Sequence, residues 1–457
     1  DLTCHKECVG NNASVILNSF AKQIHCVTDI RVSIQKLRHL FYIGILLVSI
    51  VGCGKDDNAK PQEQERPEET IQYRLNYTLK ADNPLIYGFG GELLIPESVV
   101  AGWTAEVIDN ASWVELSRGS EGLQVRTMAN DTNSEREATI RFTREGSEEY
   151  LTIRQLRNII HREPIGERRV RNELRVWYES NYFTKAKAIL PIPVSNLYQD
   201  ISNLECYDGQ ECVAQDGETK YLYRYINNGS MMPASNDAWL SEEFTITNYS
   251  VDVDFDAITS YVDIDKESLP YLLHTGTSGD IIDPYNAQIV AISESLWLEA
   301  EGDIVDYAYL AYMWVANNMS YINPNTGLHP LTDILAKGGG DCGNQATVFN
   351  TLMRCIDVPA RHVVMVRTNG TFHVRSEFYL AGYGWIPVDA NAKNEIPNGD
   401  FFGNIQTNEI VVNSNINILV DLDQIGPTNL VLLQNFAAWY WWYNETPIEF
   451  YHTVFEI

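Results

Sequence analysis

Residues 338–391 read GGGDCGNQATVFNTLMRCIDVPARHVVMVRTNGTFHVRSEFYLAGYGWIPVDAN. A thiol (Cys342), an imidazole (His373) and a carboxylate (Asp389) occur here in that order. A cysteine nucleophile needs a base to take its proton, and the base needs a third group to fix its tautomer and orientation. Three glycines precede Asp341-Cys342, and a helical apolar spacing follows through Ala346, Val348, Phe349, Leu352, Met353 and Ile356. Glycine backbone permits a sharp turn. Cys342 then falls at a helix N-terminus, where unpaired N–H groups and the helix dipole favour a thiolate. Cys355 falls on the apolar face, the setting of a structural cysteine.

The second half of the stretch reads as a hairpin: Phe372 to Leu380, a turn over Ala381-Gly-Tyr-Gly384, and a return strand Trp385 to Asp389. His373, Arg375, Glu377 and Tyr379 share one face by the period of two. Pairing Leu380 with Trp385 would put Asp389 opposite Ser376, on the wrong face. Pairing Tyr379 with Trp385 puts Asp389 opposite Arg375, next to His373. The hairpin is therefore expected to have an odd loop or a bulge.

Gly339-Gly-Asp-Cys342, Val358-Pro-Ala-Arg361, His373-Val-Arg-Ser-Glu377 and Gly384-Trp-Ile-Pro-Val-Asp389 together resemble the transglutaminase-like core, a papain-like cysteine enzyme fold. The resemblance extends to the helix Asp303 to Tyr321 and covers roughly 300–392. It implies an α+β domain with Cys342, His373 and Asp389 as catalytic triad. The sequence departs from the family at Arg375, where Trp is frequent, and at Gly343-Asn344-Gln345, where an acidic residue is frequent. The backbone N–H of Cys342 is the first candidate oxyanion donor and Tyr321 the second. Gly340, Asp341, Arg375 and Trp385 are candidate cleft residues.

Upstream, Tyr73 to Leu156 alternates in short strands between turn signals, as in a β-sandwich. Trp103, Asn110-Ala-Ser-Trp113-Val114, Arg136-Glu-Ala-Thr-Ile140 and Leu151-Thr-Ile-Arg-Gln155 resemble a BACON-type domain over 72–157. That family's name implies glycan or mucin contact. The alternative is a spacer with both Trp in the core, which is favoured because both lie among strand-core signals. A second strand-rich stretch, 165–270, resembles the β-domain that often precedes such cores. The fold class is thus multi-domain: two β-sandwich (Ig-like) domains, then an α+β core over 280–457. The core includes the aromatic run Phe436-Ala-Ala-Trp-Tyr-Trp-Trp-Tyr443.

Residues 1–52 read as an upstream extension and lipoprotein signal peptide. Basic residues precede an apolar run from Leu40 to Val51, too short to span a bilayer. Ile50-Val-Gly-Cys53 looks like a bacterial lipobox, making Cys53 the lipidated residue. Residues 53–71 are a polar tether. The expected location is the bacterial outer membrane, surface-exposed, with periplasm-facing as the alternative. Cys206 and Cys212, around Asp208-Gly209, form a candidate disulfide. The acidic series Asp252, Asp254 and Asp256 alternates with Val251, Val253 and Phe255 and reads as the wet face of a strand.

The chain has 457 residues and a formal charge of −28, which argues against nucleic-acid binding. No zinc, P-loop or Gly-x-Ser-x-Gly motif occurs, no metal site is expected, and the resemblance implies no cofactor. The expected activity is thiol acyl transfer on peptide or isopeptide amides, with hydrolysis favoured over cross-linking. The rival is a catalytically silent surface lipoprotein that binds glycan or protein.

Overall fold

The computed structural model of the protein describes residues 72–80, 83–178, 183–227, 237–322, 327–406, 408–422, 426–442 and 448–457. Cys53, the signal segment and the tether lie outside the described residues. No described helix is long and apolar enough to cross a membrane.

Alternation in the first stretch produces six strands: β1 (Gly91–Pro96), β2 (Thr104–Val107), β3 (Val114–Gly119), β4 (Gly122–Thr127), β5 (Arg136–Arg144) and β6 (Ser147–Gln155). A single helical turn, α1 (Glu97–Val100), joins β1 to β2. The sheets β1-β4-β3 and β2-β5-β6 face each other across Ile95, Val125, Ile140, Phe142 and Ile153. Trp103 is buried in this core, and Trp113 packs against it beneath the Arg136 guanidinium. Both Trp side chains therefore serve the interior.

The second sandwich begins with β7 (Ile160–Tyr178), β8 (Phe183–Ile192), β9 (Gln199–Tyr207), β10 (Gln210–Val213), β11 (Lys220–Asn227) and β12 (Asp237–Val253). In β12, Val251 and Val253 are buried and Asp252 is exposed, as the alternation requires. Cys206 and Cys212 are thiols and not a disulfide. The turn between them does not close a hairpin: β9 pairs with β12, and β10 pairs with β11 in the other sheet. Their side chains join different apolar clusters.

The core opens with α2 (Leu269–His274), α3 (Ala287–Glu299) and α4 (Ile304–Asn318). The Asn286 and Asp303 side chains cap α3 and α4. Tyr307, Ala311 and Val315 form the buried stripe of α4, and the Tyr307 hydroxyl donates to the Leu352 carbonyl. After β13 (Ser320–Tyr321) come α5 (Leu331–Lys337), β14 (Gly339–Gly340) and α6 (Cys342–Cys355). The sheet β17-β16-β15-β18 is built from β15 (Ala360–Val366), β16 (Phe372–Leu380), β17 (Gly384–Val388) and β18 (Ile410–Asn413), with α7 (Ala390–Glu395) between the last two.

This sheet is covered on both sides. His362, Val364, Val374, Ser376 and Phe378 lie on the face turned to α6, whereas Val363, Met365, Arg375 and Glu377 lie on the opposite face, where Tyr198 of the second sandwich bonds Glu377. Even the polar residues of β16 are consequently buried. The hairpin tip is wedged against the first domain: a Cβ on Gly382 would meet Leu156 Cδ1 at 2.4 Å, and one on Gly384 would meet Phe89 Cε1 at 2.9 Å. The Tyr87 and Tyr379 hydroxyls hydrogen-bond across the same contact.

The C-terminal strands depart from expectation. The hairpin of β19 (Ile418–Leu422) and β20 (Gly426–Leu430) packs on Ile189 and Tyr221. Beyond it, β21 (Ala437–Trp442) pairs with β8 and β22 (Ile448–Glu456) pairs with β7. The aromatic strands thus complete the second sandwich, giving β22-β7-β12-β9 and β10-β11-β8-β21, and do not close the core. The physical reason is that β7 and β8 would otherwise each present an open sheet edge.

Candidate active site

The three glycines do separate jobs. Gly338, at φ 64°, is the left-handed C-cap of α5. Gly339 and Gly340 run parallel to Ser320 and Tyr321, so closely that a Cβ on Gly339 would lie 2.3 Å from the Ser320 carbonyl oxygen. Gly339→Ala is expected to cost about 1–3 kcal/mol of stability and to slow alkylation of Cys342. A denaturant midpoint and an alkylation time course check this.

Asp341 is the N-cap of α6, its Oδ1 accepting the Asn344 N–H at 3.0 Å. Cys342 is therefore the first residue of the helix, with its N–H free of any intrahelical acceptor. Residues 343–354 of this helix are all buried. The Thr347 hydroxyl donates to the Gly343 carbonyl, and it lies 3.1 Å from His362 Nε2. Asn350 Nδ2 meets His362 Nδ1 at 3.2 Å. Burial pushes His362 down to about pKa 3. It is a neutral, hydrogen-bonded core residue that supports the first turn of α6.

On the neighbouring hairpin, Tyr379 pairs with Trp385 and Leu380 with Gly384, leaving a three-residue loop. This is the odd loop that the sequence required. Asp389 emerges beside His373, and its Oδ2 lies 2.6 Å from His373 Nε2. Asp389 Oδ1 accepts the Ala392 N–H at 2.8 Å, so one carboxylate both caps α7 and fixes the imidazole. The remaining ring nitrogen, Nδ1, is left for Cys342, whose sulfur is near enough to interact with the imidazole. The Gln434 amide donates to the carbonyls of Met365 and His373 at 3.0 and 2.9 Å and pins the two strands together at the imidazole.

Burial alone would lower the His373 pKa, but the Asp389 charge and hydrogen bond outweigh it and hold the imidazole well above its usual range. Burial likewise opposes the Asp389 charge, yet His373 and the Ala392 N–H keep its carboxyl below the usual range. Tyr321 is 44% exposed and stands at the thiol. Burial, then the proximity of Cys342, raises its hydroxyl pKa, so it remains a proton donor.

The thiol sits where two lobes of one cleft meet, with volumes of about 560 and 660 Å³. Tyr321, Cys342 and Phe372 line both. Asp341 lines the larger lobe and Arg375 the smaller. Gly340 lies behind the turn, in a separate small pocket with Asn344. Trp385 is not at the cleft. It lies four residues along β17 from Asp389, about 13 Å away, with its ring under the Arg361 guanidinium and against Tyr379 and His274.

Sequence reasoning did not find Glu409, Arg367 or Asn391, which also line the smaller lobe. Glu409 forms ion pairs with Arg367 and Arg375. Tyr198 of the second sandwich donates to Glu377 and lies under the Arg375 guanidinium. Only Asn391, two residues after Asp389, carried any local signal.

A cysteine on a helix N-terminus beside an imidazole–carboxylate pair on an adjacent hairpin is the arrangement that a papain-like cysteine site requires. Residues 291–390 match the family described as the transglutaminase-like superfamily. Residues 103–156 match the BACON family, described as "Putative binding domain, N-terminal". The chain thus carries a transglutaminase-like core behind a BACON β-domain. An uncharacterized protein of Haemophilus influenzae is 31% identical over 112 residues, covering 18% of this chain and 30% of that protein. The chain therefore spans less than a third of that relative. A solved structure described as "a Putative Cysteine Protease from Cytophaga hutchinsonii" is 13% identical, covers 65% of this chain and 100% of its own, and has a TM-score of 0.40. A "putative protease from Parabacteroides distasonis" is 11% identical, covers 65% of this chain and 59% of its own, and has a TM-score of 0.21.

Proposed function

We propose that the protein is a cysteine amidase acting on peptide or isopeptide bonds by thiol acyl transfer, with water as the main acceptor. The observation that carries this reading is the meeting of Cys342 with the hydrogen-bonded His373–Asp389 pair at the junction of the two lobes. Cys342 Sγ attacks the amide carbonyl carbon as its proton passes to His373 Nδ1. The oxyanion that develops is met by the Cys342 N–H and the Tyr321 hydroxyl. The C–N bond breaks, the amine leaves with the proton from His373, and a thioester remains. Water then attacks the thioester, giving its proton to His373, and the acid departs as the thiol re-forms. Water is favoured over an amine by its concentration. The lipobox-like Ile50-Val-Gly-Cys53 supports a further reading, that the mature protein is lipid-anchored at the bacterial outer membrane and faces outward.

The test is a screen of peptide and isopeptide amides in water enriched in ¹⁸O, read by mass spectrometry beside Cys342→Ala. Cys342-dependent cleavage with one ¹⁸O in the new carboxylate is the expected result. Products that carry an added amine and no label would replace hydrolysis by cross-linking. No Cys342-dependent product, together with alkylation of Cys342 no faster than that of a simple thiol, would remove the enzyme reading.

A further inference from the structure

The two lobes of the cleft differ in chemistry. The larger is lined by Leu328, Val374, Leu432, neutral amides and the helix-capping Asp341, and among the described residues no Lys or Arg reaches it. The smaller holds Arg375 and Arg367. Arg375 is only 2% exposed, and its Nε and Nη2 have no acceptor among the described residues. Its Nη1 reaches Glu409 Oε2 at a long 3.4 Å. The Tyr198 ring, 4.0 Å from the guanidinium, offsets some of the charge, and the Tyr198 hydroxyl also interacts with Arg375. From α7, Asn391 contributes a second idle donor, an Nδ2 with no acceptor among the described residues, on a side chain that is 4% exposed.

Buried donors of this kind are normally satisfied, and each exception calls for an explanation. The charge count points the same way. Two guanidinium groups, Arg367 and Arg375, are paired to the same carboxylate, Glu409. His373 and Asp389 balance one another. This wall of the lobe is rich in donors and sets two guanidinium groups against one carboxylate, although the lobe as a whole is lined by four carboxylates and three cationic side chains, so the group that completes the wall must bring acceptor oxygens. Glu395 and Asp400, on α7 and the loop after it, also line the lobe, so an anion is favoured only at the arginine wall.

We propose that the smaller lobe is a subsite for a substrate carboxylate, held by Arg375 and Arg367 and supported by Asn391. A carboxylate presents two oxygens in the plane of a guanidinium fork, which makes it the natural occupant. Arg375 lies two residues from His373 on one strand face, about 7 Å away. The carboxylate therefore lies about one residue from the scissile amide. The substrate class is a peptide or isopeptide carrying a free carboxylate, terminal or acidic, beside the bond that is cut, with its neutral side in the larger lobe. This inference rests on Cys342 being the nucleophile.

The test uses N-iodoacetylglycine and its neutral counterpart N-iodoacetylglycinamide, which place a carboxylate or a carboxamide one residue from the carbon that Cys342 alkylates. The readout is the ratio of the two second-order rates, which cancels the reactivity of the thiol. The acid is expected to react at least ten-fold faster than the amide, with the ratio falling toward one in Arg367→Gln and in Arg375→Gln. Should the buried Arg375 variant fail to fold, Arg367→Gln, at the partly exposed rim, still decides the matter. A wild-type ratio of one or below, with fast reaction of the glycinamide, overturns the subsite and leaves the nucleophile standing. Slow reaction of both probes overturns the nucleophile reading and this inference with it.

Discussion

Replacing His373 with alanine is expected to slow amide turnover, and alkylation of Cys342 near pH 6, by two to four orders of magnitude. A positioned acid–base group commonly contributes that much. Intact mass after exposure to limiting iodoacetamide measures the alkylation directly. Two substitutions at Asp389 separate what its carboxylate does. Asp389→Asn keeps an oxygen for the Ala392 N–H and removes the charge from His373. The imidazole then loses the interaction that overcomes its burial, its proton is lost at lower pH, and the alkaline limb of turnover moves down in pH. Asp389→Ala removes the cap as well. Breaking a buried pair costs about 3–5 kcal/mol, and losing a cap costs about 1 kcal/mol.

The pH dependence of stability follows from the two directions of shift. Asp389, held below its unfolded value, contributes stability that is complete above about pH 4 and is lost as pH falls through its depressed folded pKa. His373, held above its unfolded value, contributes stability that is complete below about pH 6.5 and is lost as pH rises through its raised folded pKa. The advantage of wild type over Asp389→Asn should be greatest between these limits. Urea midpoints across pH check it.

The second large effect is expected from ending the chain after Gln434. The core motifs all lie upstream, yet the truncated protein should fail to accumulate in folded form. It loses β21 and β22, leaving β8 and β7 with open edges. It also loses the stacked Phe436–Phe450 pair and buried Val454. One buried Val contributes about 1.5–3 kcal/mol, and the two partly buried Phe add comparable amounts. Net domain stability is about 5–15 kcal/mol, so these losses alone approach it. Soluble yield and circular dichroism of the truncated chain measure the outcome. A folded, alkylation-competent fragment would mean that the strands are dispensable.

The meeting of Cys342, His373 and Asp389, the glycine turn and the odd hairpin loop were legible because each is encoded locally. Register follows from which face Asp389 must share with His373, and capping follows from Asp341 directly before the helix. The destination of the aromatic strand was not legible. Period-two alternation defines a face but names no partner, and the partners of β21 and β22 lie more than 200 residues upstream. Arg375 lines the smaller lobe, but its burial depends on Tyr198 and Glu409, which reach it from another domain and from the residue just before β18. Trp385 and the Cys206–Cys212 pair were misread for a common reason. Closeness in sequence stood in for closeness in space, and strand extension in one case and a change of sheet in the other carried the residues apart.

The wedge at the hairpin tip has a consequence for how such chains are assembled. Strands β16 and β17 are two levers with His373 and Asp389 at one end and Gly382 at the other, where Leu156 bears on them. Leu156, Ile159 and Ile160 belong to the same apolar cluster as Phe349 and Phe378 of the core. The transglutaminase-like part is therefore not a cassette that recombination can lift out at the limits of its sequence family. An exchange of the N-terminal domain would have to bring a new fulcrum for the levers, or the imidazole and its carboxylate would drift from the thiol they serve.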